Sequence, residues 1–395
     1  ASPFCKGGLR GIYMDKLEKS PKLSFQLANA VVGKPYAEKP VLLTLFDKVV
    51  VIEAIDVRSE AGLEFDVRTA QLVGLPLISG EFDAHISYYC LSQGEKTALT
   101  TVLSRFYINA DPRSLWKNIP SDLQQLYAKS DSASQTIETS TIKILAASQR
   151  GRSHAHKGQA RDDDFFINSG KNWQIALVAD GAGSAKYSRY GSQLICQTMG
   201  KFLRDLLSQS FVLSDVENGF RAALGESIAQ LENEALAQHT SIKDYASTVL
   251  AVVCFYDVPQ QEYVYISLAV GDGVIALYQP MTQQLQLLNQ PVTGDYAGET
   301  CFVGNDSVLN IASLMKVVRT KISIPCLLMT DGVSDVFFDS DNALKNANVW
   351  QALWQDLTQN QALVDEKKLL AWLDFWSAGN HDDRTIVIVE PKNDE

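Results

Sequence analysis

The sequence predicts an α+β fold: two antiparallel β-sheets with helices packed outside them, preceded by a small all-β sandwich. Three observations predict it. After residue 141 the strand-like apolar runs come as antiparallel pairs rather than singly between helices. Two long helical stretches follow one another directly, which does not suit a doubly wound parallel sheet. The first quarter of the chain reads as short strands separated by turn chemistry.

Taken in order, residues 1–24 read as an N-terminal extension, with Met14 a natural start and 1–13 upstream of it. Residues 25–110 read as the sandwich. Runs 41–46 and 49–55 are rich in β-branched residues and have strand length. Gly33-Lys34-Pro35, Glu60-Ala61-Gly62, Gly74-Leu75-Pro76 and Ser79-Gly80 supply the turns. The stretch from Gly62 through Gly74-Leu75-Pro76 to Ser79-Gly80-Glu81-Phe82 ends on a strand alternating at Phe82, Ala84 and Ile86. It resembles the ending of bacterial immunoglobulin-like modules, which implies a spacer or partner-binding role rather than catalysis.

Residues 111–140 read as a linker. Asp111-Pro112-Arg113 and Ile119-Pro120-Ser121-Asp122 break regular structure, and Ser130-Asp131-Ser132-Ala133-Ser134 is small and polar. The second domain spans residues 141–392. Trp173 to Ala179 is a buried-strand run that stops at Asp180. Residues 187–208 carry Leu194, Ile195, Met199, Phe202, Leu203 and Leu206 at helical spacing, and residues 216–239 repeat this with Phe220, Leu224, Ile228 and Leu231. The run 263–270, the turn Gly271-Asp272-Gly273 and the run 274–278 predict an antiparallel hairpin.

Composition narrows the function classes. The chain has 395 residues, 46% hydrophobic and 21% charged, which fits a soluble globular protein of two or three domains. A net charge of -11 argues against nucleic acid or an anionic membrane as partner. The longest apolar stretch, 41–55, is broken by Asp47, Lys48 and Glu53, so it cannot span a bilayer. Six cysteines (Cys5, Cys90, Cys196, Cys254, Cys301, Cys326) lie scattered with no CxxC pair. That pattern speaks against a disulfide framework or zinc site and for a reducing, cytoplasmic setting.

The chemistry is carried by four aspartate strings: Arg161-Asp162-Asp163-Asp164, Ala179-Asp180-Gly181-Ala182-Gly183, Thr330-Asp331-Gly332 and His381-Asp382-Asp383. Each lies at one end of a strand-like run. A carboxylate there costs several kcal/mol of desolvation unless it is paired or metal-bound. Brought together, such groups hold hard divalent cations by oxygen. The glycine after an aspartate lets the backbone turn sharply and approach a ligand.

In these words and this order the strings resemble the metal-dependent protein phosphatases of the PP2C family, over about 250 residues from Ile142 to Pro391. The resemblance implies the α-β-β-α sandwich of that family. It implies hydrolysis of phosphomonoesters by a water activated between two Mn2+ or Mg2+ ions, with no phosphoenzyme. By position, Asp180 matches the aspartate that bridges both ions and Gly181 the glycine whose carbonyl joins one shell. Asp331 and Asp382 match the aspartates of the other ion. Asp162-Asp163 stands where the family has Glu-Asp, and Asp272 where an aspartate helps hold a weaker third ion. Ala246-Ser247-Thr248-Val249 matches a structural strand.

Two family features are missing: Ala182 stands where eukaryotic members often have histidine, and the usual phosphate-holding arginine position falls near Gly158. Arg152 is therefore assigned to the phosphate and His154 to protonating the leaving group. Arg161 is expected at the surface. Residues 294–300 (Gly-Asp-Tyr-Ala-Gly-Glu-Thr) fall where the family has a variable flap. The implied partner is a phosphorylated protein, with a cognate kinase or its targets, and neither nucleic acid nor membrane. A non-catalytic phosphoprotein-binding scaffold and a phosphatase of a small metabolite are the competing readings.

Overall fold

The computed structural model describes residues 19–92, 94–290 and 301–392. The chain divides into two compact units, residues 1–116 and 117–395. Among the described residues no helix is long and apolar enough to cross a membrane.

The N-terminal unit is all-β. Its strands are Phe25–Gln26 (β1), Ala30–Val31 (β2), Tyr36–Glu38 (β3), Val41–Leu42 (β4), Val49–Asp56 (β5), Leu63–Asp66 (β6), Gln71–Gly74 (β7), Gly80–Ser92 (β8), Glu95–Lys96 (β9) and Thr100–Asn109 (β10). β8 pairs antiparallel with β5 and β10, β2 adds in parallel beside β10, and β3, β7 and β6 form a separate sheet. Strict alternation sets the faces: Val102, Ser104, Phe106 and Ile108 of β10 are buried while Thr101, Leu103, Arg105 and Tyr107 are exposed. With Phe82, Ala84, Ile86, Tyr88 and Leu72 they make one core.

Two expectations change here. Only Val41–Leu42 of the run 41–46 is strand, because its partner β1 is two residues long; Leu43 and Leu45 are left exposed. The extension 1–24 is too long, since Leu23 is buried and its N–H donates to Tyr88 Oη at 2.8 Å, while Tyr88 donates to the Pro21 carbonyl at 2.6 Å. Met14 and the rest of 1–18 lie outside the described residues.

The C-terminal unit has strands Ser132–Glu138 (β11), Ile142–Gln149 (β12), Asp164–Ser169 (β13), Trp173–Ala179 (β14), Val249–Asp257 (β15), Glu262–Val270 (β16), Val274–Gln279 (β17), Gln284–Leu287 (β18), Met315–Thr320 (β19), Cys326–Met329 (β20) and Arg384–Pro391 (β21). Its helices are Arg152–Lys157 (α1), Ser188–Leu207 (α2), Leu213–Ala237 (α3), Asn305–Leu309 (α4), Ile311–Leu314 (α5), Asp331–Phe337 (α6), Asp341–Leu344 (α7), Ala347–Gln359 (α8) and Glu366–Trp372 (α9). One antiparallel sheet runs β11-β12-β21-β20-β17-β18 and the other β13-β14-β15-β16-β19.

Three apolar layers hold this unit together. Ile195, Met199, Phe220 and Leu224 of α2 and α3 pack on Leu177, Val253 and Ile266 of the second sheet. Ile144, Ile275, Leu328 and Val387 of the first sheet meet Val178, Val252 and Ile167 between the two sheets. Trp350, Leu353 and Leu369 of α8 and α9 close over Leu327, Tyr278 and Ile388. The strands between these layers are near-continuous apolar runs because both of their faces are covered. The result is helices, sheet, sheet, helices.

The hairpin expected across Gly271-Asp272-Gly273 does not form. β16 ends in the second sheet, and β17 pairs with β20 and β18 in the first. The turn is a crossover between sheets, and Gly271 (φ +105°) and Gly273 (φ +89°) adopt backbone angles that side chains disfavour. The expected linker 111–140 is also corrected. Residues 132–138 are strand β11, paired along its whole length with β12. The alternative of a free linker fails because the same backbone groups find partners in the sheet.

This topology brings five chain segments to one rim. The end of β14 pairs with the start of β13 (Asp164 with Ala179), and the end of β20 with the starts of β21 and β17 (Met329 with Ile386 and Val274). The residues just outside those strand ends are the aspartates singled out above.

Candidate metal centre

Asp180 leaves β14 with its backbone fixed from both sides. Its N–H donates to Thr248 Oγ1 at 3.0 Å, and its carbonyl accepts from Thr248 N at 2.8 Å and Ser247 Oγ at 2.9 Å. The Ser247-Thr248 pair is thus the brace of this aspartate, as its structural reading required. Asp331 opens α6 directly after β20, and Asp272 sits in the crossover. One carboxylate oxygen from each of Asp180, Asp272 and Asp331 lies within 4.8 Å of the other two. Gly332 lets this happen: a Cβ there would stand 1.8 Å from the Asp383 carbonyl oxygen.

Asp163 joins from the start of β13, fully buried. Its Oδ2 accepts from Thr330 Oγ1 at 2.8 Å and Thr385 Oγ1 at 2.7 Å, whereas its Oδ1 meets no donor among the described residues. The same holds for Oδ1 of Asp331. Burial first, then neighbouring carboxylates, makes this set weaker acids. Asp163 is pushed up to about 8 and Asp331 to about 7. Asp180 is driven well above the carboxylate range by burial and then by Asp163, Asp331 and Asp382. Asp382 is raised by burial and by Asp383. Such a cluster is electrostatically incomplete without a cation.

The donor set fits a hard divalent ion. It is all carboxylate oxygen, it converges, and two of its buried oxygens have no donor. Asp180, Asp272 and Asp331 would hold it, with Asp163 beside Asp180.

The other predicted residues are placed differently. Asp162 turns away from this cluster: its Oδ2 accepts from Ser188 Oγ at 2.9 Å and lies 3.5 Å from His154 Nε2. Burial, aided by Asp383 and opposed by His154 and Ser188, lifts it to about 6. Gly181 packs so closely that a Cβ would meet the Ser188 backbone at 2.8 Å. His154 is buried, with Nδ1 3.0 Å from Asp383 Oδ1. Burial opposes its charge, but Asp383 and then Asp162 outweigh it and raise the imidazole to about 9. Both ring nitrogens of His154 thus face carboxylates, Asp383 on one side and Asp162 on the other.

Arg152 is held by residues 374–376. Nη1 donates to the Phe375 carbonyl at 3.1 Å, and Nη2 donates to Asp374 O at 3.0 Å and Oδ1 at 2.9 Å. The guanidinium also lies over Trp376, so these contacts hold it against residues 374–376. Arg152→Ala is therefore expected to leave KM for a phosphoester within about threefold of wild type, an effect under about 1 kcal/mol. A tenfold rise in KM in steady-state assays would restore the phosphate-binding assignment. Arg161, expected at the surface, is 2% exposed and donates to Ser148 Oγ and, at 2.7 Å, to the Asp163 carbonyl. The flap at 294–300 lies outside the described residues.

Sequence reading gives no role to Asp383, Thr330 or Thr385. Asp383 Oδ1 accepts from Gly151 N at 2.6 Å and its Oδ2 from Asp162 N, so one carboxylate ties α1, β13 and β21. The doubled aspartate of His381-Asp382-Asp383 is the available signal. The two threonines offer none, since nothing about a lone threonine at a strand end marks it as a carboxylate's donor.

Comparison with protein families matches residues 150–374 to the model described as Protein phosphatase 2C. Among solved structures the chain is similar to RsbX in complex with magnesium, at 16% identity and TM-score 0.40, covering 66% of this chain and 100% of that one. It is similar to serine-threonine phosphatase 2C from Toxoplasma gondii, at 13% identity and TM-score 0.44, covering 66% and 99%. It is also similar to the phosphatase domain of the cell fate determinant SpoIIE from Bacillus subtilis, at 13% identity and TM-score 0.36, covering 66% and 96%. No curated protein matches the chain.

Proposed function

Because the chain belongs to the protein phosphatase 2C family, a family of metal-dependent phosphoric monoester hydrolases, we propose that it dephosphorylates serine and threonine in protein substrates. The observation that carries the reading is the carboxylate set with its two donor-free buried oxygens. Asp163, Asp180, Asp331 and Asp382 are the ligands we assign to two Mn2+ or Mg2+ ions, with Asp272 serving these or a weaker third. When bound, such cations acidify water and neutralise phosphoryl oxygens.

The chain's own residues supply the frame. Thr330 and Thr385 fix one oxygen of Asp163 and leave the other aimed at the cluster. Ser247 and Thr248 hold the Asp180 backbone, and the His154–Asp383 pair holds the Asp162 peptide. A frame this rigid keeps ligands within a fraction of an ångström, which metal sites require. The five described cysteines are free and four are buried, which supports a reducing, cytoplasmic setting. We assign the N-terminal β unit an immunoglobulin-like topology and a recruiting role toward a phosphoprotein, such as the target of a cognate kinase.

The test is p-nitrophenyl phosphate and phosphopeptide hydrolysis with Mn2+, beside a chelator. Metal-dependent turnover of a phosphothreonine peptide is expected. Turnover of small phosphorylated metabolites alone would replace the protein substrate. A folded protein that binds no Mn2+ would end the enzyme reading.

A further inference from the structure

The segment 117–131 reads from sequence as free linker, yet it is bonded into the frame of the metal centre. Its N-terminal half is fixed to α1 and the residues before it: Lys117 N donates to His156 Nδ1 at 3.1 Å and Ile119 N to the Ala155 carbonyl at 2.9 Å. Arg150 donates to Asn118 Oδ1 at 2.9 Å and pairs with Asp131 at 3.0 Å. Arg189 of α2 donates through Nε to the Tyr127 carbonyl at 3.1 Å.

The segment's last turn inserts Lys129 into the protein. Lys129 is buried, its Nζ 3.0 Å from Asp164 Oδ2, and it donates to the Arg189 carbonyl at 3.3 Å and Ser192 Oγ at 3.4 Å. Ser192 Oγ in turn donates to the Asp162 carbonyl. The next residue completes a second route: Arg161 Nε donates to the Ser130 carbonyl at 3.4 Å, and its Nη1 donates to the Asp163 carbonyl at 2.7 Å. The peptide carrying Asp162, Asp163 and Asp164 is thus gripped at both carbonyls and one carboxylate. These three grips lead back to residues 129 and 130, beside those that Asp383, Ser188, Thr330 and Thr385 supply.

An ammonium buried without need would be replaced by an apolar side chain at no loss of stability. Here the partner is the residue following Asp163, so the contact anchors the backbone that carries Asp163. We propose that Lys129 is a positioning residue of the metal centre, and that residues 117–131 form the outer brace that sets its affinity for divalent cation. The proposal rests on the metal-dependent reading above and adds a residue from outside the 150–374 family match.

The experiment is Mn2+ titration by calorimetry on the full chain, with no substrate, for wild type, Lys129→Met/Asp164→Asn and Ser192→Ala. The double substitution removes the ion pair without leaving a buried carboxylate unpaired. Mn2+ binding is expected to weaken about tenfold in both variants, within the range for residues that support metal ligands. The metal-free melting temperature should stay close to wild type. Binding within twofold of wild type in the folded variants would overturn the proposal. If the double variant fails to fold, Ser192→Ala alone decides it. Wild type that binds no Mn2+ would sink the phosphatase reading instead, so the two failures are distinguishable.

Discussion

Asp180→Asn is expected to abolish metal-dependent hydrolysis and, at pH 8 with chelator present, to raise the melting temperature. The two effects share one cause. Asp180 lies beside Asp272 and Asp331, and burial and then Asp163, Asp331 and Asp382 oppose its charge. Asparagine keeps the shape and removes a buried negative charge from a cluster of them. The gain should be on the order of 1–2 kcal/mol, since a tenfold change in a protonation equilibrium is about 1.4 kcal/mol and the groups share protons. For a domain of this size that is roughly 2–6 °C. The loss of turnover should reach about 10³-fold, or about 4 kcal/mol of barrier. An aspartate placed there for packing alone would give the opposite pair: activity retained, stability lowered. Calorimetric melting and a Mn2+-dependent assay on one preparation separate the two outcomes.

The second large effect is on pH. Asp163 and Asp331 bind protons in the folded state up to about 8 and 7, whereas in the unfolded chain they release them near 4. Between those values the folded state holds more protons, so metal-free stability must fall as pH rises. His154 acts in the same direction: held at about 9, it adds stability below about 6.5 that is lost as pH climbs through 9. Asp383, held below the usual range by His154 and the Gly151 and Asp162 amides against its burial, opposes this only in acid. The metal-free protein should therefore melt higher at pH 5.5 than at pH 8, by several degrees. Mn2+ should reverse the order, because it binds only the deprotonated set and stabilises by mass action. A metal-free melting temperature flat from pH 5.5 to 8 would contradict the cluster as described.

Much of the centre is legible in the sequence because its chemistry is local. An aspartate at the end of an apolar run, followed by glycine, announces itself, and the fold brings two of these, Asp180 and Asp331, together with Asp272. What stays hidden is long-range. Alternation identifies residues 263–270 and 274–278 as strands, but period two cannot say which sheet a strand joins. The Gly271-Asp272-Gly273 turn therefore looks like a hairpin when it is a crossover. Arg161 and Lys129 give no sign of burial in the sequence, since their partners Ser148, Asp163 and Asp164 meet them only after folding. The serine-rich 130–134 stretch resembles a flexible tether. It begins an edge strand, where small polar side chains are acceptable because one side faces solvent.

That edge strand determines where this protein can be cut. Motif spacing suggests starting a shortened chain near residue 141, just ahead of β12. Such a chain would discard β11 and leave the outer edge of β12 without its partner along residues 142–149, a template for sheet-to-sheet aggregation. It would also discard Lys129 and strand the Asp164 carboxylate inside. A chain begun at Lys117, the boundary of the C-terminal unit, keeps both.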